Sequence, residues 1–351
     1  MGELIPAVTN TVDTQTMPPS QAPVRAGALQ VRVRSITYLC EGVHSYELVP
    51  VEDGDLPAFT AGSHIDLYFR DGRVRQYSLC NDPAERFRYV FAVQREENGR
   101  GGSKAIHEIV HPGRILAISP PRNNFPLHED AAHHVLIAGG IGITPMVAMI
   151  HRLLAVGASF ELHYGARAKS RLAFLSQLES LGLGSRLHVY VDGGDPSRGM
   201  NTQEIVTGAH AGAHFYCCGP EGLMRAMRRG ASHCAPGTVH FEHFASSSAP
   251  AVPGELFGAG NQTIGVGFKV RLARTGGEFD VPDDKTIVEV LRDNGFEVST
   301  SCEAGLCGTC RTRYLEGEPD HRDYVLEDDE KRREIIICCS RSRTASLLLD
   351  L

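Results

Sequence analysis

The sequence predicts a chain of three folded domains: an antiparallel β-barrel, an α/β domain with a parallel sheet, and a small domain around a cysteine loop. Three observations support this fold class. Short alternating strands fill residues 29–127, apolar runs alternate with helical patterns over 134–244, and four cysteines cluster in the last fifty or so residues. A chain of 351 residues is also too long for one hydrophobic core.

Composition and charge narrow the class of protein. The chain has 35 basic and 42 acidic side chains, which argues against a nucleic-acid partner. The N-terminus has neither a basic start nor an apolar run, and the longest uncharged apolar stretch, 135–150, is too short to span a bilayer. Ten cysteines without an export signal favour reduced thiols and metal ligation, so we expect a cytoplasmic protein. Residues 1–27 are expected to form a disordered tail.

The predicted barrel spans residues 28–128. Alternating runs at 30–34, 64–69 and 88–93 are separated by turn sequences such as 71–72 and 98–99, as is typical of antiparallel strands. Residues 75–79 read Arg-Gln-Tyr-Ser-Leu, which is either an ordinary strand or a site that combines a cation, an aromatic ring and a hydroxyl. The glycine-rich basic loop 98–104 suits a phosphate monoester, although a plain surface loop is the alternative.

The predicted α/β domain spans residues 129–245 and carries a phosphate-binding turn. An apolar run at 135–138 enters the glycine turn 139–142, and we predict Thr144 as helix N-cap with Pro145 at the first helical position. Such a turn lets a pyrophosphate approach the backbone, but alone it is weak support for a dinucleotide. A second turn follows the strand 215–218, where Cys218 can also be read as a buried apolar cysteine.

Residues 246–262 are expected to be a linker, and 263–351 to form the last domain. Its four cysteines follow the C-x4-C-x2-C spacing, with a distant fourth, of a plant-type [2Fe–2S] cluster. Zinc would favour two C-x2-C pairs, and disulfides would need an oxidising compartment. Residues 335–339 read as a strand, which turns only one cysteine of its final pair toward the cluster loop. The predicted ligands are Cys302, Cys307, Cys310 and one cysteine of this pair.

Together these features resemble the phthalate dioxygenase reductase and vanillate demethylase reductase family, within the ferredoxin–NAD(P)+ reductase superfamily. The resemblance covers nearly everything after about residue 28, and the ferredoxin domain comes last, as in that family. It implies an FMN-binding barrel, an NAD-binding domain and an α+β ferredoxin domain of the β-grasp type. The family's spacing from Cys310 selects Cys338, and not Cys339, as the fourth ligand of the cluster. The matching segments are 75–82, 99–103, 121–127, 139–145, 216–220 and the cysteine loop.

The resemblance also assigns roles to residues. Arg75, with the loop residues, would hold the FMN phosphate, Tyr77 would lie against the flavin ring, and Ser78 would hydrogen-bond near its N5 atom. Cys218 would lie close to the site of hydride transfer, and Ser78 and Cys218 are the expected catalytic residues. The full set of cofactor-binding residues implied for FMN and NAD is Arg75, Gln76, Tyr77, Ser78, Gly101, Gly102, Ser103, Gly140, Gly142, Thr144, Cys218, Gly219, Pro220 and Phe244.

The expected function follows from electron counting. Nicotinamide gives two electrons together and a [2Fe–2S] cluster accepts one, so a flavin belongs between them. The expected path runs from NADH through FMN and the cluster to an outside acceptor, which by resemblance is a separate Rieske-type oxygenase acting on an aromatic or similar small substrate. Two alternatives remain open: a self-sufficient nitric-oxide or quinone reductase, and a cluster-based sensor with a vestigial flavin domain.

Overall fold

The computed structural model describes residues 27–69, 74–97, 101–244, 267–283, 285–300, 305, 308–323, 325–326 and 329–351. Several predictions fall outside these residues: the disordered tail, the linker, the turns at 71–72 and 98–99, and the cluster ligands Cys302 and Cys307.

The first sheet is antiparallel, in the strand order β4-β3-β6-β1-β2-β5, with β7 paired to β3. A bridge between Leu79 and Phe91, extended by a 2.8 Å bond from Cys80 N to Val90 O, joins its two ends. The predicted barrel is therefore confirmed. Its elements are β1 (Leu29–Cys40), β2 (Val43–Pro50), β3 (Ser63–Tyr68), β4 (Val74–Ser78), β5 (Tyr89–Gln94), α1 (Gly102–Ile109), β6 (Ile115–Ile118) and β7 (Arg122–Asn123).

The second sheet is parallel, in the order β10-β9-β8-β11-β12. Every residue of β8 is buried, as expected for a central parallel strand covered on both faces. The predicted βα alternation is confirmed, but the strand β12 had not been predicted. The elements are β8 (His133–Gly139), α2 (Ile143–Ala155), β9 (Phe160–Ala166), α3 (Leu175–Ser180), β10 (Leu187–Val191), α4 (Thr202–Gly208), β11 (Ala213–Cys218), α5 (Glu221–Gly230) and β12 (Val239–Glu242).

The third sheet has the order β14-β13-β19-β15-β17, and β16 pairs with β18 beside it. In the described part of this domain, an α-helix at 287–293 packs on this sheet and begins at a capping box, in which Thr286 and Glu289 bond each other's backbone N–H groups. This is the expected α+β domain. Its elements are β13 (Phe268–Leu272), β14 (Glu278–Val281), α6 (Ile287–Asp293), β15 (Arg311–Glu316), β16 (Pro319–Asp320), β17 (Glu334–Ile336), β18 (Arg341–Ser342) and β19 (Ser346–Leu349).

The barrel and the parallel sheet contact each other directly. Ala148 of α2 packs in the same apolar cluster as the barrel interior. At another point Glu41 accepts a 2.9 Å hydrogen bond from Arg171, and its backbone N–H donates to Ser170 O at 3.2 Å. Among the described residues, no helix is both long and apolar enough to cross a membrane.

Candidate functional site

Arg75 and the start of α1 meet at one edge of the barrel. A Cβ added at Gly102 would lie 2.6 Å from Arg75 Nε, so only glycine lets the guanidinium lie this close to the helix backbone. Gly101, which precedes the helix, has φ +76°, a conformation that glycine adopts without strain. The Ser103 hydroxyl accepts a 3.1 Å bond from Glu96 N and fixes the loop to the end of β5. A cation and the amide groups of a helix N-terminus thus converge, which suits an anion such as phosphate.

The residues of β4 that follow Arg75 differ in what they contact. The Tyr77 ring lies 5.2 Å from the Phe91 ring, and burial raises the pKa of its phenol, which therefore stays neutral. Ser78 is 4% exposed, and its hydroxyl donates to Glu242 Oε2 at 3.2 Å. Gln76 lies opposite Asp66 in the β3–β4 register and is half-buried. The structure thus places Ser78 beside a carboxyl group of the second sheet, while Tyr77, the preceding residue on the strand, packs on Phe91 of the barrel.

The two glycine turns of the parallel sheet touch each other. A Cβ at Gly142 would lie 2.2 Å from the carbonyl oxygen of Cys218, and one at Gly139 would lie 2.6 Å from Pro220 Cδ. Gly219 in turn approaches the Gly139 backbone, and Gly140 has φ +55°. These turns follow adjacent strands at the carboxyl edge of the sheet, where α/β proteins bind nucleotides. The predicted residues of both turns therefore form one surface.

The prediction for Thr144 as N-cap is wrong. A short 3₁₀ turn, Gly140–Gly142, runs directly into α2, so the helix begins at Ile143 with Gly142 as its N-cap. The Thr144 hydroxyl is buried and donates to Ile141 O at 3.1 Å instead of accepting from a helix amide. Pro145 is consequently the third helical residue, which is still within the first turn, where its missing N–H costs nothing.

Glu242 is a residue of the site that the sequence reasoning missed. It lies opposite Cys218 in the β11–β12 register. Burial raises its pKa to about 8, against the lowering effect of the Ser78 hydrogen bond, so the carboxyl is mainly protonated at neutral pH. Burial also raises the pKa of the Cys218 thiol well above its ordinary value, which makes it a neutral group. The signal in the sequence that could have identified Glu242 is the single carboxylate at the end of the short segment Val239–Glu242.

Phe244 follows β12 by two residues and is 37% exposed. Its predicted place over the flavin remains a prediction. Of the basic residues after β9, Arg171 is engaged with Glu41, whereas Arg167 and Lys169 are exposed beside the nucleotide edge of the sheet.

The cysteines of the third sheet that the structure describes fit a cluster. Cys310 and Cys338 are 4% and 3% exposed, and Gly305 and Gly308 have φ of +74° and +70°, as tight loops around a cluster require. The reasoning from strand alternation was wrong, however. Strand β17 ends at Ile336, and the cysteine pair lies in the following turn. Cys339 Sγ donates to Ile336 O, and a Cβ at Gly305 would lie 2.5 Å from that sulfur.

Comparison with known proteins agrees with this organisation. Residues 270–343 match the 2Fe-2S iron-sulfur cluster binding domain, and residues 136–229 match the oxidoreductase NAD-binding domain. The chain is 49% identical over 326 residues to a tert-butanol monooxygenase / tert-amyl alcohol desaturase reductase subunit from Aquincola tertiaricarbonis, covering 92% of this chain and 96% of that protein. It is 41% identical over 327 residues to tetrachlorobenzoquinone reductase from Sphingobium chlorophenolicum, covering 92% and 98%.

A solved structure of a relative has the same fold over nearly the whole chain. The structure of phthalate dioxygenase reductase, described as modular for electron transfer from pyridine nucleotides to [2Fe-2S], superposes with a TM-score of 0.74 at 40% identity. The match covers 93% of this chain and 98% of that one. All three sheets are therefore part of the similarity.

Proposed function

The chain belongs to the phthalate dioxygenase reductase family, and on that premise we propose that it passes electrons from NADH through FMN and a [2Fe–2S] cluster to a separate Rieske-type oxygenase acting on an aromatic or similar small substrate. The observation that carries the proposal is the junction at which Ser78 of the barrel meets Glu242, the register partner of Cys218 in the nucleotide-binding sheet. The domain boundaries that we propose are 28–128, 129–245 and 263–351, because they divide none of the described sheets.

FMN is the flavin that the barrel fits best. Bound flavin would accept two electrons from a nicotinamide and release them singly. Arg75 and the N-terminus of α1 bring a guanidinium and helix amide groups together, which suits the single terminal phosphate of FMN. At the junction, Ser78 would orient the ring through its hydroxyl, while Glu242 holds a proton on its carboxyl group within hydrogen-bond distance of Ser78.

The flavin proposal is tested by releasing the bound flavin and by replacing Arg75. Heat release and chromatography should give FMN, and a molar equivalent of FAD would contradict the proposal. Arg75→Ala should weaken flavin binding by roughly 10- to 100-fold, the value of a hydrogen bond to a charged group. The matched control is Arg114→Ala, an exposed barrel arginine whose loss should leave flavin content unchanged.

The partner proposal rests on the names of the relatives and on charge. Residues 264–351 contain 13 basic and 18 acidic side chains, and a four-thiolate cluster adds negative charge, so an acidic surface would meet a basic one. A purified oxygenase component with its aromatic substrate should accelerate NADH consumption, and salt should slow this reaction more than the reduction of ferricyanide. Rapid oxygen consumption by the chain alone would contradict the need for a partner.

A second candidate function is quinone reduction. The similarity to tetrachlorobenzoquinone reductase favours it, because that protein covers the same three domains at 41% identity. Fast NADH-dependent reduction of a chlorinated quinone by the chain alone, with no acceleration by an oxygenase component, would select this function over the first.

We also infer a cytoplasmic location. No disulfide joins any two of the eight cysteines that the structure describes, which suits a reducing compartment. Fractionation of cells that express the tagged chain tests this location.

A further inference from the structure

A cluster of metal-ligand side chains lies on the parallel sheet, away from the nucleotide edge. Glu161 and His163 are two residues apart on β9, so both project from the same face of the sheet. His188 of β10 is the register partner of His163 and joins them on that face. Their ligand atoms all lie within 4.8 Å of one another. No step of the proposed electron transfer uses these three residues.

The geometry is that of a small cation site. His163 Nε2 lies 3.5 Å from Glu161 Oε1, and His188 Nε2 lies 3.4 Å from Glu161 Oε2. Ligand atoms at two corners of a tetrahedron around Zn²⁺, with bonds of about 2.0–2.1 Å, are about 3.3–3.4 Å apart. Each imidazole nitrogen is therefore at zinc-ligand spacing from one oxygen of the Glu161 carboxylate, and the two imidazole rings stack with their centroids 4.6 Å apart.

The most buried ligand is also oriented for this role. His163 is only 6% exposed, and within the described part of the chain its Nε2 atom makes no hydrogen bond and has the 3.5 Å contact with Glu161 as its ion-pair partner. Its other ring nitrogen, Nδ1, lies 2.9 Å from the Tyr190 hydroxyl. Metal-bound histidines are usually held in this way, with one nitrogen on a neighbouring polar group and the other on the metal. A buried Nε2 atom without a hydrogen bond is costly unless a ligand occupies its lone pair.

The third ligand, His188, makes the site accessible from solvent. The His188 side chain is 40% exposed, so an ion can enter from solvent and a water molecule can complete four-fold coordination. His133 Nε2 lies 3.8 Å from Glu161 Oε1 on the side of β8, but it does not belong to the group whose atoms are mutually close. Two imidazoles and one carboxylate favour Zn²⁺ over the hard cations Mg²⁺ and Ca²⁺, which prefer all-oxygen sites.

From this geometry we propose that Glu161, His163 and His188 form a zinc site that is separate from the electron-transfer path. Both Glu161 and His188 lie near the starts of their strands, at the opposite end of the sheet from the glycine turns. In the described sheet β10 is an edge strand, and Val189 and Val191 are exposed on it. Bound zinc would link this edge strand to β9 and thereby reduce its local opening.

The test measures zinc and iron together on the full-length holoprotein. After passage over a chelating resin, equilibrium dialysis against Zn²⁺ should load one zinc ion per chain while iron stays at two atoms per chain. The unchanged iron content shows that zinc has not replaced the cluster. Glu161→Gln and His188→Gln should weaken zinc binding at least about 100-fold, and Tyr190→Phe about 10-fold. Zinc should also slow amide hydrogen exchange in Leu187–Val191 of the wild-type chain only.

A matched control separates the site from general histidine affinity. His233 is an exposed histidine of the same domain, in the segment before β12 at the opposite edge of the sheet, so His233→Gln should bind zinc as the wild-type chain does. His188 is exposed enough for its variant to fold, which flavin and iron content will verify. Zinc binding that is equal in His188→Gln and wild type would overturn the proposal. So would a wild-type chain with full iron that takes up no zinc at micromolar concentrations.

Discussion

Replacing Gly142 with alanine probes the contact between the two glycine turns. The added Cβ would lie 2.2 Å from Cys218 O, 2.5 Å from Cys218 C and 2.8 Å from Gly219 N. All three are backbone atoms, so no side chain can rotate away, and the turns must separate by about 1 Å to restore van der Waals contact. Overpacking of this kind costs about 1–3 kcal/mol of stability.

The effect on coenzyme use should be larger than the effect on stability. A displacement of about 1 Å at a substrate-positioning element costs on the order of 100-fold in rate, because the reacting atoms leave their productive alignment. We therefore expect kcat/KM for NADH, measured with ferricyanide as acceptor, to fall about 100-fold in Gly142→Ala. Anaerobic flavin bleaching by NADH should slow to the same extent, while flavin and iron content stay at wild-type values.

Gly208→Ala is the matched control for this substitution. Gly208 lies in α4 of the same domain, and a Cβ there meets nothing within 4 Å. Alanine should raise helix stability there by up to about 1 kcal/mol and leave NADH kinetics unchanged. If Gly142→Ala has wild-type kinetics, or if Gly208→Ala is equally impaired, the two turns do not form the coenzyme site as described.

Three further predictions concern the other groups of the site. Burial raises the pKa of Glu242 to about 8, so the folded state holds this proton more tightly than the unfolded state does. The free energy of unfolding should therefore fall by up to about 5 kcal/mol as pH rises from about 4.5 through about 8. Glu242→Gln should flatten this part of a plot of melting temperature against pH. The kcat/KM for NADH should be higher than that for NADPH. If NADPH is preferred instead, and Arg167→Ala or Lys169→Ala abolishes that preference, these exposed cations bind the 2′-phosphate of NADPH. Cys338→Ser should lose the visible cluster absorbance but keep NADH-to-ferricyanide activity, whereas Cys339→Ala should keep both. If Cys339→Ala loses the cluster absorbance and Cys338→Ser keeps it, Cys339 is the fourth cluster ligand in place of Cys338.

The patterns that the sequence determines are local ones. The alternation of the strands, the glycine turn after an apolar run and the tight cysteine loop can each be recognised within a short stretch of chain. Together with the order of the three blocks, they were enough to predict the barrel, the parallel sheet and the ferredoxin domain. Strand alternation and turn chemistry act between near neighbours, so their consequences can be read directly from residue order.

The residues at which helices start and strands end depend on interactions that compete with the local sequence preference. Thr144 is a good N-cap residue by type, but the 3₁₀ turn before it had already begun the helix. The cysteine pair after β17 looked like a continuation of an apolar strand, but the chain turns there to meet Gly305. Element boundaries are decided by such local packing, which the periodicity of a sequence does not show.

Only the tertiary structure could bring together groups that are far apart in sequence. Ser78 and Glu242 are separated by 164 residues, and their hydrogen bond exists because the barrel packs against the last strand of the parallel sheet. The same holds for Glu161, His163 and His188, which become neighbours through the register of two parallel strands. The raised pKa of Glu242 likewise comes from burial between domains and not from its place in the sequence.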